Sequence, residues 1–359
     1  PPAYDPYSMF NFLPSLSFST LRKPRRTPIN NNNNINGERL YFVVFLVVLL
    51  SRCFPTLSAS SCLDSYLDSY TMSSVALTVR KVARVLPALP TSDGAGVRLS
   101  RAIGTRALDH LDPFLLLDHF SSDNPDDYIA GFPSHPHRGF STLTYMLQGD
   151  FEHRDSKGNV GRLSSGSVQW MTAGRGVIHS EMPIQKDGRL SGFQLWIDLP
   201  RASKMIEPSY QDIHSEVIPE VPLFEGGLVR VISGMFRGTR GPVDSIVPLL
   251  YLDTRVQPQP EAHTIQYALP AGHACFVYVY EGNLEVDQRQ VAAGNLVVFD
   301  SPAATDAEEH QIQIRTTSAG YILVAAQPLK QPVVRRGPFV MCTQEDLMQA
   351  FVDYQSGAF

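Results

Sequence analysis

Short apolar runs separated by turn residues characterise most of the chain beyond residue 72. Residues 141–147, 168–171 and 192–197 are such runs, and residues 228–232 and 320–325 continue the series. Glycine, proline and asparagine separate the runs, a pattern typical of β-sandwiches and β-barrels. The sequence therefore predicts an all-β fold from residue 72 onwards.

Two stretches favour a helix instead. Residues 200–205 follow one of the apolar runs and predict a short helical turn between two domains. Near the end of the chain, Thr343 precedes a glutamine, two acidic residues and the amphipathic segment 347–354. Threonine is a good N-cap, and acidic side chains stabilise the first turn of a helix. We expect one short C-terminal helix there.

An internal repeat indicates that one β-unit occurs twice. The sequence YMLQGDFE at residues 145–152 is echoed by YVYEGNLE at residues 278–285. Each copy is followed by a second glycine turn and another strand-like run. The chain therefore predicts two tandem barrels, formed by residues 72–205 and residues 206–359, with the terminal helix in the second.

Residues 1–71 differ in composition from the rest of the chain. They contain five consecutive asparagines, no histidine and an apolar run at residues 40–50. That run is too short to span a bilayer, which takes about 20 residues, so no membrane partner is expected. We expect this leader to be disordered or removed. A targeting segment and translated sequence ahead of a start at Met72 both account for it.

Charge and cysteine content narrow the classes of function. The whole chain carries a net charge of −5 and the leader +2, so the two barrels together carry −7. Such an acidic body argues against direct contact with nucleic acid. Beyond the leader only Cys275 and Cys342 occur, which is no disulfide framework. We expect both to be buried packing residues of a cytoplasmic or nuclear protein, while secretory or organelle targeting by the leader stays open.

Two pairs of ligand-type side chains carry the strongest chemical signal. His135 and His137 are two residues apart, and so are His179 and Glu181. Side chains at i and i+2 leave an extended strand on the same face. Two such strands side by side would direct three imidazoles and one carboxylate at one point, which predicts a metal site. This donor set suits iron, manganese, nickel or copper, and zinc is a weaker candidate.

The repeat confines the predicted metal site to the first barrel. His137 stands twelve residues before Gly149, whereas Pro270 occupies the corresponding place before Gly282. No His-x-Glu pair follows the later glycine turn either. Around and after the second copy of the repeat, His263, His273 and His310 stand alone.

Two long segments around the ligand pairs carry a family resemblance. Residues 131–140, GFPSHPHRGF, and residues 169–183, QWMTAGRGVIHSEMP, resemble the signature segments of the pirin family within the cupin superfamily. The resemblance covers roughly residues 76–356 and leaves out the leader. It implies two tandem cupin jelly-roll barrels with one metal ion in the N-terminal barrel.

The resemblance also implies Fe(II) as the cofactor, one per chain, with other divalent transition metals as alternatives. The implied ligands are His135, His137, His179 and Glu181. The broader cupin pattern places a glutamate soon after the second histidine, but this chain has Ser141 and Thr142 there. Glu181 then has to supply the carboxylate.

Proteins that this chain resembles have two unlike functions. Some resemble quercetin 2,3-dioxygenases, which cleave the central ring of a flavonol with dioxygen, and in that case Glu181 is the expected general base. Others are nuclear cofactors of transcription-factor proteins, with the oxidation state of iron as a switch. Fold alone does not choose between them, and the enzyme is our first expectation. Two barrels in one chain favour a monomer.

Three residues near the ligand pairs have both a structural and a functional interpretation. Phe140 and Trp170 are expected in the barrel core, with a wall of the substrate pocket as the alternative. His153 follows the first repeat in a polar turn, so we expect it to be exposed.

Overall fold

A computed structural model describes residues 77–301 and 310–359. The predicted leader, residues 1–71, lies outside the described residues. Within the described ranges the chain forms 25 β-strands, short 3-10 turns and one α-helix. No helix in this part of the chain is long and apolar enough to cross a membrane.

The strands follow one another closely in both halves of the chain. Those up to residue 198 are β1 (Thr78–Val79), β2 (Val82–Pro87), β3 (Leu89–Asp93), β4 (Val97–Ile103), β5 (Phe114–Ser122), β6 (Phe132–His137), β7 (Phe140–Gln148), β8 (Phe151–Asp155), β9 (Val160–Leu163), β10 (Val168–Thr172), β11 (Val177–Pro183) and β12 (Leu190–Asp198). The later ones are β13 (Ser209–Ile213), β14 (Glu220–Phe224), β15 (Gly227–Ser233), β16 (Met235–Phe236), β17 (Thr239–Arg240), β18 (Leu249–Val256), β19 (His263–Leu269), β20 (Ala274–Val286), β21 (Arg289–Ala292), β22 (Asn295–Phe299), β23 (His310–Ala326), β24 (Val334–Arg336) and β25 (Phe339–Met341). The 3-10 turns are Pro125–Asp127, Arg201–Ser203 and Ser215–Val217.

The helix α1 (Gln344–Gln355) ends the chain, as the capping signal predicts. The Thr343 side chain accepts a hydrogen bond from the backbone amide of Asp346 at 3.1 Å. Leu347 and Ala350 lie on its buried face, which packs on Phe339 and Met341 of β25. The apolar positions of this helix therefore dock the end of the chain on a short strand.

Two sheets form the N-terminal half. A seven-stranded sheet has the order β13-β10-β7-β12-β5-β4-β3, and a four-stranded sheet has the order β6-β11-β8-β9. Phe120 and Met146 of the first sheet and Phe151 of the second belong to one buried cluster. Alternating side chains thus fill the space between the two sheets.

The C-terminal half is built on a ten-stranded sheet. Its main order is β14-β15-β18-β23-β20-β22-β2, with β1 and β19 on β23 and β21 on β20. Leu252, Tyr267 and Tyr321 lie in its apolar core, with Cys275 beside them. Cys275 and Cys342 are free and buried, which confirms their assignment as packing residues.

The two halves share a core and exchange strands. Tyr145 and Trp170 of the seven-stranded sheet pack in one cluster with Phe276 of the ten-stranded sheet. From the N-terminal side, β2 pairs with β22, and from the C-terminal side, β13 pairs with β10. The domain boundary between residues 205 and 206 stays a prediction, and these exchanged strands cross it.

Candidate metal centre

The strands that carry the two ligand pairs lie side by side, as predicted. β6 and β11 are antiparallel neighbours, and His135 is directly opposite His179. The next paired residues are Phe132 and Glu181, so β6 carries one extra residue there. This bulge ends the regular pairing next to the candidate ligands, a common place for bulges.

The imidazoles of His135, His137 and His179 form a compact group, called here the three-imidazole group. One ring nitrogen of each lies within 4.8 Å of those of the other two. The ring centroids are 4.6 Å apart for His135 and His137 and 4.4 Å apart for His135 and His179. The Nε2 atoms of His135 and His137 approach to 3.0 Å.

The protonation of this group fits metal binding. Nδ1 of His135 lies 2.8 Å from the carbonyl oxygen of Pro133, which only accepts, so Nδ1 carries a hydrogen, and in the neutral ring Nε2 then carries the lone pair. Nε2 of His179 is buried and has no hydrogen-bond partner among the described residues. Burial and the neighbouring imidazoles hold the pKa of His137 and of His179 well below the usual range. Neutral imidazoles are suitable donors for a transition metal.

Glu181 lies beside the three-imidazole group but is not one of its members. Its carboxylate is 4% exposed and accepts two hydrogen bonds. Oε1 accepts from the hydroxyl of Thr144, and Oε2 accepts from Nε2 of Gln194, both at 3.0 Å. Glu181, His135 and His137 line the same cavity. The structure therefore brings all four predicted residues to one place, with the carboxylate held by its neighbours.

Comparison with known proteins supplies the family. The family model described as Pirin matches residues 96–197. The family model of the Pirin C-terminal cupin domain matches residues 251–359. A pirin-like protein of Caulobacter vibrioides is 43% identical over 286 residues, covering 79% of this chain and 100% of that protein. Human pirin is 37% identical over 282 residues, covering 77% and 93% respectively. The chain belongs to the pirin family.

Solved structures place this pirin-family chain in the predicted fold. The crystal structure of quercetin 2,3-dioxygenase from Acinetobacter baumannii matches with a TM-score of 0.71 and 32% identity, over 79% of this chain and 99% of that one. Pirin YhhW of Escherichia coli, in complex with nickel(II), matches with a TM-score of 0.52 and 20% identity, over 68% and 98%. These matches confirm the all-β architecture of two cupin barrels with a C-terminal helix.

A cavity of about 790 Å³, the site cavity, opens onto the candidate ligands. That volume is within the range of small-molecule sites. Phe132 and Trp196 contribute apolar walls, while Arg101 and Asp118 contribute an ion pair on the lining. The guanidinium of Arg101 donates two hydrogen bonds to the Asp118 carboxylate, at 2.8 and 2.7 Å. The site cavity thus combines flat apolar surfaces with fixed polar groups.

The C-terminal segment closes one side of the site cavity and docks on residues that follow His137. Gly337 and Pro338 belong to the lining. Nη1 of Arg138 donates to Asp353 of α1 at 2.7 Å, and its guanidinium lies 4.4 Å from the centre of the Phe359 ring. Arg138 therefore ties the ligand strand to the end of the chain.

Gly139 permits the close approach of β25. Its φ is +87°, and a Cβ placed there would lie 2.0 Å from the carbonyl oxygen of Val340. Nζ of the buried Lys204 donates to the carbonyl oxygens of Gly139 and Val340 at 2.8 and 3.0 Å. The residues after the His-Pro-His motif are thus specialised for docking the C-terminal segment.

Two of the three further expectations are confirmed and one is wrong. Phe140 and Trp170 are buried, and neither lines the site cavity. Phe140 packs against His137 with ring centroids 5.0 Å apart. His153, expected to be exposed, is 1% exposed because β8 continues to Asp155 and the turn begins after it.

Sequence reasoning missed Thr144, Gln194 and Trp196. Thr144 and Gln194 bond Glu181, and Gln194 and Trp196 line the site cavity. Gln194 and Trp196 are two residues apart on β12, so strand alternation places them on one face. Thr144 is buried and Gln194 is half-buried in apolar runs, and polar side chains removed from water need partners, which was the available signal for both.

Proposed function

We propose that this protein is a metal-dependent dioxygenase that cleaves the central ring of a flavonol. The observation that carries the proposal is the three-imidazole group beside Glu181 at the site cavity. The likeness to the quercetin 2,3-dioxygenase of Acinetobacter baumannii supports the reaction class. The proposed ligands of the metal are His135, His137, His179 and Glu181.

Three imidazoles and one carboxylate without thiolate suit a redox-active metal with open positions, and the likeness to the pirin family supports Fe(II) among such metals. When bound, such a metal would supply Lewis-acid and redox chemistry for the flavonol 3-hydroxyl and dioxygen. The protein's part is to hold the substrate, exclude water and accept the hydroxyl proton. Glu181 is the proposed acceptor, since it is the acidic side chain next to the three-imidazole group.

The hydrogen bonds around Glu181 explain how it could hold that proton. Thr144 Oγ1 lies 3.0 Å from Glu181 Oε1 and 3.0 Å from Gln194 Oε1, but its hydroxyl has a single hydrogen. With a proton on Oε1, Glu181 donates to Thr144, Thr144 donates to Gln194, and Gln194 donates to Oε2. This ring of three hydrogen bonds is complete only when Glu181 carries the proton.

The walls of the site cavity suit a flat hydroxylated molecule. Phe132 and Trp196 offer ring surfaces, and apolar contact with an aromatic substrate removes both from water. Arg101 and Asp118 hold each other, so their remaining hydrogen-bonding atoms are fixed in direction for substrate hydroxyls. The C-terminal Pro338 closes the same cavity and limits access of water.

Anaerobic reconstitution with Fe(II), followed by a quercetin absorbance assay in air, tests the proposal. We expect loss of flavonol absorbance with the wild type and a rate lower by about 10²- to 10⁴-fold with Glu181→Gln. Thr144→Val should have a smaller effect in the same direction, because it only opens the hydrogen-bond ring. Glu216→Gln, at an exposed carboxylate, is the matched control.

No flavonol loss at full iron occupancy, or equal rates for wild type and Glu181→Gln, would refute the dioxygenase. A protein that binds iron without turnover would favour the alternative, a redox-sensing cofactor of transcription-factor proteins. That role predicts different binding partners for ferrous and ferric protein in parallel pull-downs. The monomeric state and the cytoplasmic or nuclear location stay predictions.

A further inference from the structure

A fourth imidazole lies directly behind the three-imidazole group. His153 on β8 is 1% exposed and is paired with Glu181 across the sheet. Its Nδ1 lies 3.3 Å from Nδ1 of His179. The ring also packs against Tyr210, with centroids 4.8 Å apart. His153 is therefore fixed between a candidate ligand and an aromatic side chain.

At 3.3 Å, only one of the two Nδ1 atoms can carry a hydrogen that points at the other. If His153 supplies it, the neutral ring of His179 must carry its own hydrogen on Nε2, which blocks a metal bond there. If His179 supplies it, His153 is the acceptor and Nε2 of His179 presents a lone pair. Only the second arrangement lets His179 act as a ligand through Nε2, the buried atom for which the described part of the chain offers no hydrogen-bond partner.

We propose that His153 is a positioning residue of the metal centre: it accepts a hydrogen bond from Nδ1 of His179 and thereby keeps Nε2 of His179 available as a ligand. This inference rests on the metal site of the proposed function. His135 shows the same arrangement on the other strand, where the acceptor is the Pro133 carbonyl oxygen at 2.8 Å. One ligand from each strand is thus fixed in the tautomer that metal binding needs.

The nature of the acceptor matters for the metal. Carboxylates and backbone carbonyls are the usual partners of the outer nitrogen of a ligating histidine. Unlike a carboxylate, the uncharged imidazole of His153 places no negative charge next to the His179 ring. It therefore orients that ring without giving it anionic character. Loss of the acceptor should therefore appear mainly as weaker metal binding.

The test compares His153→Leu with His153→Asn. Leucine fills the space without an acceptor, whereas the asparagine Oδ1 can accept at about the position of Nδ1. Co(II) is titrated into metal-free protein against a competing chelator, and its visible absorption bands report the coordination. We expect the Kd to rise by about 10- to 100-fold in His153→Leu and to stay near the wild-type value in His153→Asn.

His310→Leu is the matched control, because His310 is 2% exposed in the second half and its two ring nitrogens have no hydrogen-bond partner within residues 77–301 and 310–359. It should leave the Kd for Co(II) unchanged. Thermal unfolding of the metal-free variants separates a loss of stability from a loss of affinity. Should His153→Leu fail to fold, His153→Phe removes the acceptor and keeps a ring in place.

Two results would overturn the inference. One is a Kd in the leucine or phenylalanine variant equal to that of the wild type. The other is an equal loss in the asparagine variant, because packing alone would then explain the effect. Flavonol turnover is not measured here, so absence of dioxygenase activity leaves this test intact. A wild type that binds no Co(II) would instead refute the metal centre itself.

Discussion

Replacing Lys204 by methionine should destabilise the folded protein by several kcal/mol. Lys204 is 2% exposed, and its Nζ donates to the carboxylate of Asp198 and to the carbonyl oxygens of Gly139 and Val340. Methionine has a similar length but no donor. The change therefore leaves three acceptors without their shared donor and keeps the space filled.

The expected magnitude follows from what remains around Asp198. Its carboxylate is 1% exposed and still accepts from the Leu199 amide at 3.0 Å and from Nε2 of Gln331 at 2.8 Å. Removing one partner of a buried ion pair costs about 3–5 kcal/mol, because the other charge stays buried. For a folded unit of this size, about 2 °C of Tm per kcal/mol gives a fall of roughly 6–10 °C.

A double variant tests the reason for the loss. Asp198→Asn removes the buried charge, so Lys204→Met combined with Asp198→Asn should be more stable than Lys204→Met alone by about 1–3 kcal/mol. Thermal unfolding followed by circular dichroism measures both, with the exposed Lys186→Met as control. A Tm of Lys204→Met within about 2 °C of the wild type would refute the stabilising role of the hydrogen bonds that Lys204 donates. A double variant no better than the single one would refute the uncompensated charge as the cause.

Two further predictions concern local conformation and pH. Gly139→Ala should lower the Tm more than Gly158→Ala: both residues have a positive φ, +87° and +88°, but only at Gly139 would a Cβ meet backbone, 2.0 Å from the Val340 carbonyl oxygen. Equal losses would contradict the close approach, because the left-handed conformation costs each variant the same, about 1–2 kcal/mol. Burial lowers the pKa of His119 to about 4, below the ordinary value of about 6.5, so as the pH falls the unfolded chain takes up a proton at this residue before the folded protein does. The contribution of neutral His119 to the free energy of unfolding should therefore be fully present above pH ~6.5. The free energy of unfolding should decrease by about 2–3 kcal/mol towards pH ~4. His119→Gln should flatten that part of the urea-unfolding profile, and an unchanged slope would contradict the assignment.

Local spacing was enough to predict which candidate ligands share a face. The i and i+2 steps place His135 with His137, and His179 with Glu181, because strand side chains alternate. The pairing of β6 with β11 joins strands that are far apart in the sequence, so the sequence predicted it only as a hypothesis. The bulge lies at Pro133 and Ser134 of β6, and a proline in a strand is compatible with an edge strand as well as with a bulge, so the offset of the carboxylate from the three imidazoles was not predicted.

The environment of the candidate ligands was less accessible to sequence reasoning than the ligands themselves. His153 stands near a polar turn in the sequence, so it was expected at the surface. It is buried because β8 extends past it to Asp155. Lys204 and Val340 are joined by a hydrogen bond across 136 positions of sequence. Such a contact depends on how the whole chain folds back, and no periodicity of either segment specifies it.

One motif serves two purposes in this fold. His135 and His137 of β6 supply two rings of the three-imidazole group. The next two residues, Arg138 and Gly139, contact the C-terminal segment. That segment in turn contributes Pro338 to the wall of the site cavity. Because the same few residues hold the metal ligands and dock the end of the chain, displacement of the C-terminal segment would open the cavity and loosen the ligand strand together. The rigidity of the candidate metal centre therefore depends on contacts that lie far from it in the sequence.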